Sequence, residues 1–439
     1  MPLKQLPKTE MQRRRRALMR MMDKNSIAII PAAPECVRNR DVHYPYRQDS
    51  DFLYLTDFSE PESVAVFVPG RKQGQYILFC RERDEEKETW HGRRAGQEGA
   101  VRDYHADDAF PITDIDEILP GLLEGRERVY YTMGKDTQFD SQLMGWINQL
   151  RQSVRSGTGV PHEFIDLEYI VHELRLFKSR SEMRLMREAA KITREAHIRA
   201  MSSCEPGMYE YEIEAEILHA FRRHDTEPAY PSILGSGENG CILHYTENNS
   251  RLRDGQLLLI DAGCEYNGYA SDVTRTFPVN GKFNDAQRQL YELVLQAQEA
   301  AIARAKPGNH WNDPHQAAVS VLTKGLIKLG LLKGSAVKLI KDQAYRQFYM
   351  HRTGHWLGLD VHDVGDYKFD DQWRVLEPGM VMTIEPGLYI PAGSKDAKKQ
   401  WWDIGIRIED DVLITKDGNE VLTADIPKTV DEIETLMSA

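Results

Sequence analysis

The chain has 439 residues, with 56 lysines and arginines against 68 aspartates and glutamates, which gives a formal net charge of −12. That acidic balance argues against a general nucleic-acid binder, because such proteins are usually basic. The length allows two or three domains, and the 41% apolar and 28% charged content is that of an ordinary globular protein.

The first part of the chain alternates apolar strands with helices, which is the pattern of an α/β layer. It opens near a basic run at residues 13–16, which we interpret as the solvated face of an amphipathic helix. Residues 155–161 are polar and contain glycine, as in a linker or an exposed loop. Strands are predicted at residues 26–33, 64–68 and 76–80, and helices at residues 115–123 and 138–154.

The sequence pattern changes around Phe177, after which a long helical pattern begins. Serines in residues 178–182 predict the start of this helix. We place a domain boundary near residues 172–178, between an α/β domain (1–174) and a second domain (175–439). Helical patterns in the second domain run to about Ser203 and over residues 209–224 and 285–305, with strands between and after them.

Cysteine usage and hydropathy indicate the compartment. The 5 cysteines form no C-x-x-C pair, so we expect neither a disulfide framework nor a thiolate metal site. The N-terminus lacks the apolar segment of a secretory signal, and no run approaches the ~18 uncharged apolar residues of a membrane span. We therefore expect a cytoplasmic protein.

Two stretches of the second domain look like copies of one another, and each ends on a carboxylate. Residues 252–263 and 376–387 carry Leu, Gly, Ile, an acid and Gly at the same offsets, and the acids are Asp261 and Glu385. The end of an apolar strand is an unfavourable place for an unpaired charge, so a cation should meet each acid. The repeat predicts two half-domains with a metal held between them.

Each copy continues into a return strand that brings in another acid. In the first copy, Asn-Gly at residues 267–268 predicts a two-residue type I′ hairpin, which pairs Asp261 with Thr274. Asp272 is two residues from Thr274 and therefore lies on the same face as Asp261, diagonally across the ladder.

The second copy repeats this plan. Residues 403–409 alternate between polar and apolar side chains, which puts Arg407 and Glu409 on one face and makes Glu409 the counterpart of Asp272. For any one of these acids alone, a surface turn or a salt bridge is the favoured explanation. Four acids that converge in a duplicated arrangement favour a metal, because like charges so close cannot all stay ionised without a cation.

A histidine-rich loop lies between the two copies, shortly before the second one. Residues 350–363 contain His351, His355 and His362, and His244 occupies a comparable place upstream in the first copy. An oxygen-rich site with one imidazole suits Mn, Co, Fe or Zn and argues against a thiolate-type zinc site.

These motifs resemble the creatinase-like, or pita-bread, peptidases, a family that includes methionine aminopeptidase, prolidase and aminopeptidase P. Residues 175–439 resemble the whole catalytic domain, and the N-terminal half resembles the smaller α/β domain of the aminopeptidase P and prolidase branches. Residues 41–52, 90–94 and 235–248 resemble the aminopeptidase P branch in particular. The residues that match the family's metal ligands are Asp261, Asp272, His355, Glu385 and Glu409.

The resemblance implies a fold, an activity and a cofactor. It implies an α/β N-terminal domain and an α+β pita-bread catalytic domain with an internal pseudo-two-fold repeat. It implies release of the N-terminal residue from peptides with proline at the second position, by a homo-oligomer (tetramer or dimer) without nucleic-acid or membrane partners. The cofactor would be two divalent ions, foremost Mn²⁺, with Co²⁺, Fe²⁺ or Zn²⁺ as alternatives.

The resemblance also implies a role for each ligand. Asp272 and Glu409 would bridge both ions, Asp261 would complete the shell of one ion, and His355 and Glu385 would complete that of the other. Glu385 would also manage the proton of the reaction.

Other residues would act around the metals. His362, His351 and His244 match the family's substrate and transition-state histidines, with His362 foremost for the transition state. Arg407 would orient Glu409 and its neighbouring acids.

Substrate-binding residues complete the implied site. Asp41 matches a residue near the substrate's amino terminus, and Trp90 and Arg155 match residues that reach a neighbouring subunit's site. Trp356 and Tyr389 are candidates for a flat pocket that receives the proline ring, and a place in the core is the alternative and the commoner fate of such residues.

Prolidase, which acts on X-Pro dipeptides, shares the same ligands and stays open as an alternative. Methionine aminopeptidase is disfavoured by the N-terminal domain, and creatinase by the intact ligand set. A non-catalytic binding protein on this fold is disfavoured because such relatives typically lose ligands. Residues 366–373 depart from the pattern of the bacterial enzymes, and their effect on substrate access or subunit contacts stays open.

Overall fold

The computed structural model describes residues 6–438. The chain divides after Arg175 into two compact units, one residue beyond the boundary expected from the sequence. Among the described residues, no helix combines the length and the apolar character needed to cross a bilayer.

The first unit is built on a mixed sheet. Its strands are β1 (Ser26–Pro31), β2 (Val37–Asn39), β3 (Val42–His43), β4 (Val64–Phe67), β5 (Tyr76–Cys80), β6 (Asp108–Pro111), β7 (Arg128–Tyr130) and β8 (Glu163–Ile165). The sheet order is β6-β5-β4-β1-β7-β8, and β2 and β3 form a separate hairpin. Because β1 is parallel to β7 and antiparallel to β4, the α/β layer expected from the sequence is a mixed one.

Helices connect and cover these strands. They are α1 (Lys8–Met21), α2 (Ser50–Thr56), α3 (Glu85–His91), α4 (Gly96–Arg102), α5 (Ile115–Leu123), α6 (Thr137–Gln152) and α7 (Glu168–Leu176). Ile115, Leu119 and Leu123 recur every fourth residue, so α5 presents one apolar stripe. That stripe packs with α6 and the strands in a single core cluster.

The second unit begins with a well-capped helix. The Ser179 hydroxyl accepts from the Glu182 N–H at 3.3 Å, and the Glu182 carboxylate accepts from the Ser179 N–H at 2.8 Å, which is a capping box. The helices of this unit are α8 (Arg180–Ser203), α9 (Glu210–Arg223), α10 (Asp285–Ile302), α11 (Asn312–Lys328), α12 (Ala336–Lys341) and α13 (Val430–Met437).

The strands of the second unit follow the sequence repeat. They are β9 (Glu227–Pro228), β10 (Ile233–Ser236), β11 (Leu257–Asp261), β12 (Cys264–Tyr266), β13 (Tyr269–Ala270), β14 (Thr274–Pro278), β15 (Lys368–Phe369), β16 (Gln372–Trp373), β17 (Val381–Ile384), β18 (Gly387–Ile390), β19 (Ile404–Arg407), β20 (Asp410–Thr415) and β21 (Gly418–Val421). In the first copy β11 pairs with β14 and β12 with β13, and in the second β17 pairs with β20 and β18 with β19. The two copies thus make corresponding antiparallel pairs, and a two-fold relation between them stays a prediction.

Candidate metal centre

The first acid pair lies on the hairpin that the sequence predicts. Both loop residues have positive φ, 49° at Asn267 and 83° at Gly268, as a type I′ turn requires. The ladder pairs Asp261 with Thr274 in the predicted register. Asp261 ends β11, Asp272 follows β13, and both side chains line one pocket.

The return strand is not continuous, which corrects the expected strand that contains Asp272. It breaks between β13 and β14, over residues 271–273. There the Asp272 N–H and the Ser271 hydroxyl donate to the carboxylate of Asp411 at 3.2 and 2.9 Å. At Asp272, the backbone N–H is therefore satisfied by the Asp411 carboxylate instead of by a carbonyl of a neighbouring strand.

The second acid pair is built in a similar way. Glu385 directly follows β17, and Glu409 lies in a break between β19 and β20 rather than inside a continuous strand over residues 403–409. The Glu409 N–H donates to the Thr274 carbonyl at 3.1 Å, and the Thr274 hydroxyl donates to the Glu409 carboxylate at 2.6 Å. Thr274 therefore ties the second acid pair to the first hairpin.

His355 enters the pocket on a loop packed tightly against β17. Its N–H donates to Thr383 Oγ1 at 3.1 Å, and a Cβ on Gly354 would lie 2.0 Å from the Thr383 carbonyl oxygen. His355 Nδ1 lies 2.9 Å from the Trp356 carbonyl, which can only accept, so Nδ1 carries a proton. Nε2 is left for a metal or a second proton and lies 3.2 Å from Asp272 Oδ2.

The pocket brings all five sequence-predicted ligand residues together. Ligand atoms of Asp272, His355 and Glu409 lie within 4.8 Å of one another. Asp261 and Glu385 line the same pocket. Four carboxylates and one imidazole form an oxygen-rich donor set, which suits Mn, Co, Fe or Zn and differs from a thiolate-type zinc site.

The acids repel one another strongly. Burial, followed by the charges of Asp272 and Glu385, raises the pKa of Glu409 well above its ordinary value. Burial raises the pKa of Glu385 to about 7, although His355 and Arg407 oppose the shift. Like charges this close stay ionised together only when cations, either protons or metal ions, share the pocket.

His355 and Asp272 form an ion pair within the cluster. Burial alone would lower the pKa of His355, but the hydrogen bond and charge of Asp272 raise it to about 9. Burial opposes ionisation of Asp272, and the contact with His355 nevertheless lowers the pKa of this carboxyl. A metal ion bound to His355 Nε2 would therefore replace a proton.

Arg407 is the buried counter-charge of the pocket. It is 4% exposed, and its Nη2 donates to Asp261 Oδ2 at 2.7 Å. Its Nε donates to Thr274 Oγ1 at 3.0 Å, and its Nη1 donates to the Tyr389 hydroxyl at 3.0 Å. Arg407 thus holds Asp261 directly and reaches Glu409 through Thr274, and its role in orienting these acids stays a prediction.

Tyr389 belongs to this network and not to the pocket wall, which corrects the expectation that its ring contacts substrate. Its side chain is 0% exposed, and its hydroxyl lies 2.9 Å from His351 Nε2. Trp356, the other candidate for a proline pocket, is also 0% exposed and packs against Trp311 and Tyr367. Both rings are part of the core.

The other three histidines of the pocket differ in their availability. His351 Nδ1 donates to the Arg352 carbonyl at 2.7 Å, and burial lowers the pKa of His351 to about 3, so its Nε2 accepts from Tyr389. Both ring nitrogens of His351 are therefore engaged. Within residues 6–438, the ring nitrogens of His244 and His362 make no hydrogen bond to protein, which leaves them for a substrate.

Tyr230 is a site residue that the sequence did not reveal. Its hydroxyl lies 2.7 Å from Asp261 Oδ1 and 2.6 Å from Asp272 Oδ1. A phenol has one proton, so it donates to one carboxylate at a time while holding the two oxygens close together. No motif marks this tyrosine, because it precedes β10, a strand that the sequence pattern did not predict.

The remaining expected substrate residues belong to the first unit. Asp41 lies in the turn between β2 and β3, and Trp90 lies near the end of α3 with 78% of its surface exposed. Arg155 is exposed in a 3-10 turn after α6. The substrate roles of these three residues stay predictions.

A second group of metal-type side chains is explained by ion pairs. Asp51, Glu168 and His172 lie close enough together to hold an ion in the first unit. The Lys135 ammonium lies 3.6 Å from Asp51 and 3.5 Å from Glu168, and Arg175 donates to Asp51 at 2.8 Å. These cations already balance the carboxylates, so we assign no metal there.

Comparisons with known proteins give the family. The chain matches the model of metallopeptidase family M24 over residues 184–416 and that of the aminopeptidase P N-terminal domain over residues 11–130. The Xaa-Pro aminopeptidase of Escherichia coli is 49% identical over 439 residues, which covers 100% of this chain and 99% of that protein.

Solved structures match over nearly the whole chain. Aminopeptidase PepP of Pseudomonas aeruginosa is similar with a TM-score of 0.98 and 57% identity, covering 99% of each chain. Zinc-substituted E. coli aminopeptidase P in complex with product is similar with a TM-score of 0.96 and 49% identity, again covering 99% of each chain. The catalytic half therefore has the pita-bread fold expected from its motifs. The chain belongs to metallopeptidase family M24 and carries, ahead of the catalytic domain, the N-terminal domain of the aminopeptidase P branch.

Proposed function

We propose that the chain is a dinuclear metallo-aminopeptidase that releases the N-terminal residue from peptides with proline at the second position. Full-length similarity to Xaa-Pro aminopeptidases supports the proposal, as does the structure of the E. coli enzyme with the inhibitor Pro-Leu, a dipeptide that begins with proline. The observation that carries it is one pocket lined by Asp261, Asp272, His355, Glu385 and Glu409.

Two divalent ions would be held by this ligand set. Asp272 and Glu409 would bridge them, with Asp261 on one side and His355 and Glu385 on the other. When bound, the ions supply Lewis-acid polarisation of the scissile carbonyl and activation of a water molecule. The oxygen-rich donors favour Mn²⁺, with Co²⁺, Fe²⁺ or Zn²⁺ as alternatives.

The chain's own residues would handle the protons and the developing charge. The Glu385 carboxylate would accept a proton from the attacking water and return it to the leaving nitrogen. His362 and His244, whose ring nitrogens make no hydrogen bond within the described residues, would donate to the substrate oxygen that gains charge. Arg407 and Tyr389 would position the neutral ring of His351.

The first unit would contribute to substrate binding and assembly. The Asp41 carboxylate would attract the substrate's amino group, and Trp90 and Arg155 would be presented to a neighbouring subunit of a dimer or tetramer. The 78% exposure of Trp90 supports this, because large aromatic side chains on a protein surface are enriched where a partner subunit covers them. The five cysteines are all free, which suits a cytoplasmic location.

The competing activity is that of a prolidase. The test is hydrolysis of X-Pro-Y, X-Pro and Met-Ala-Y peptides by the metal-reconstituted protein, with release of the first residue measured. We expect cleavage of X-Pro-Y and none of Met-Ala-Y. Cleavage confined to the X-Pro dipeptide would instead make the chain a prolidase.

A further inference from the structure

The divergent segment after the histidine loop folds into a short hairpin beside the pocket. β15 and β16 pair Lys368 with Trp373, and the two residues between the strands, Asp370 and Asp371, have φ of 45° and 64°, as in a type I′ turn. The preceding residue, Tyr367, anchors this hairpin in the core.

Tyr367 fixes the hairpin relative to the metal centre. Its ring stacks on Trp356 with centroids 5.6 Å apart and meets Trp311 at 4.6 Å. Its hydroxyl accepts from the Trp356 N–H at 3.2 Å. Because Trp356 follows His355 directly, the hairpin is built onto the same loop that presents the imidazole ligand.

The hairpin supports an arginine on the pocket wall. Arg352, between His351 and His355, lines the pocket, and its guanidinium lies 4.7 Å from the centroid of the Trp373 ring. Its Nη2 also donates to Asn312 Oδ1 at 3.1 Å. A ring contact and one hydrogen bond therefore hold the guanidinium in place while most of its donors stay available.

The charge of Arg352 is not balanced locally. Within the described chain, no carboxylate lies within 4 Å of the Arg352 guanidinium or of the Lys368 ammonium. The Lys368 ammonium lies 4.5 Å from the same Trp373 ring, so two cations share one aromatic ring. This cationic rim borders a pocket whose deeper wall is made of carboxylates.

Charge decides which part of a peptide such a rim can receive. The amino group of a substrate is cationic and is repelled by Arg352. In a peptide with neutral side chains, the C-terminal carboxylate is the only anion. A guanidinium with a planar fork of donors matches a carboxylate in two parallel hydrogen bonds.

We propose that Arg352, held by Trp373 and supported by Lys368, binds the free C-terminal carboxylate of short peptide substrates on the leaving-group side of the scissile bond. This inference rests on the proposed function for the direction of the peptide. It makes Arg352 a specificity-determining residue that favours short peptides with a free carboxylate over amidated or extended ones.

The test compares an acid with its amide. The dipeptide Pro-Leu and its C-terminal amide are titrated calorimetrically onto the metal-loaded protein, so that the result does not depend on turnover. The wild-type protein should bind the acid about 10- to 100-fold more tightly than the amide, and Arg352→Ala should bring that ratio close to one. Arg352→Lys should retain an intermediate preference, because it keeps the charge and loses the fork.

Arg346→Ala is the matched control, since Arg346 is exposed and lies outside the pocket lining. This control should keep the wild-type ratio. Equal binding of acid and amide by the wild type, or equal weakening of both ligands in Arg352→Ala, would overturn the inference. Absence of X-Pro-Y hydrolysis alongside a clear acid preference would count against the proposed function and not against the carboxylate site.

Discussion

The carboxylates around the pocket are held by different partners, and this decides what each one can do. Asp261 accepts from Arg407 at 2.7 Å, and Glu409 accepts from Thr274 at 2.6 Å. Within the described residues, no side chain donates a hydrogen bond to Glu385. Glu385 is therefore the acid most free to exchange a proton during a reaction.

Replacement of Glu385 by Gln should remove the proton carrier. We expect kcat on an X-Pro-Y peptide to fall by about 10²- to 10⁴-fold. Metal content, measured by elemental analysis, separates loss of proton transfer from loss of an ion. The exposed Glu377→Gln is the control. A Glu385→Gln protein that holds two ions and keeps full turnover would exclude the role.

Tyr230 offers a milder change. Tyr230→Phe removes one hydroxyl that contacts Asp261 and Asp272 and leaves the ring, so the two carboxylates lose a shared orienting partner. We expect metal affinity to fall by about 10- to 100-fold in a calorimetric titration. Tyr211→Phe, at an exposed tyrosine, should leave the affinity unchanged. Equal affinity in Tyr230→Phe would show that the contact has no role in metal binding.

The pKa values predict how metal affinity depends on pH. The pKa is raised to about 9 at His355 and to about 7 at Glu385, so both groups take up protons as pH falls from 9 to 6. Those protons compete with the metal, so affinity should fall with pH and binding near pH 7 should release protons. Calorimetry in buffers of different ionisation enthalpy measures both. Constant affinity from pH 6 to 9 would contradict this.

Short motifs made most of the pocket predictable from the sequence. The acids and His355 stand in motifs of a few residues, so their types and spacing could be recognised. Tyr230 could not, because its contacts form only after β10 pairs with β11. The buried position of Tyr389 could not either, since alternation along a strand does not say which face a distant segment will cover.

At the scale of elements, local turns were predictable and strand breaks were not. The register of the first hairpin follows from Asn-Gly at residues 267–268, which acts within a few residues. The break at Asp272 depends on Asp411, a residue far along the chain that accepts its N–H at 3.2 Å. Strands β6 to β8 were missed because three or four residues are too short for a clear alternation.

The close packing of the His355 loop against β17 can be tested by a substitution at Gly354. Gly354→Ala would place a Cβ 2.0 Å from the Thr383 carbonyl oxygen, so the loop must move away from β17. We expect the free energy of unfolding to fall by about 1–3 kcal/mol in urea titrations, together with weaker metal binding. Gly145→Ala, in the middle of α6 with open space around it, should be neutral or slightly stabilising. An unchanged Gly354→Ala protein would contradict the tight packing.

At the scale of the whole molecule, the sequence repeat and the strand pairing agree. The two copies form corresponding antiparallel pairs, and each provides one acid at the end of a strand and one acid in a strand break. The imidazole of His355 belongs to only one half, so the two proposed ions would have unequal surroundings. The net charge of −12 also suits an enzyme with small peptide substrates better than a nucleic-acid binder.

The most direct test is a titration of the metal-free protein with Mn²⁺, in which hydrolysis of an X-Pro-Y peptide is followed together with the number of ions bound per chain. We predict no hydrolysis after complete metal removal, recovery on addition of Mn²⁺, and two ions bound per chain at full activity. Hydrolysis that persists unchanged after complete removal of metal would contradict the dinuclear account.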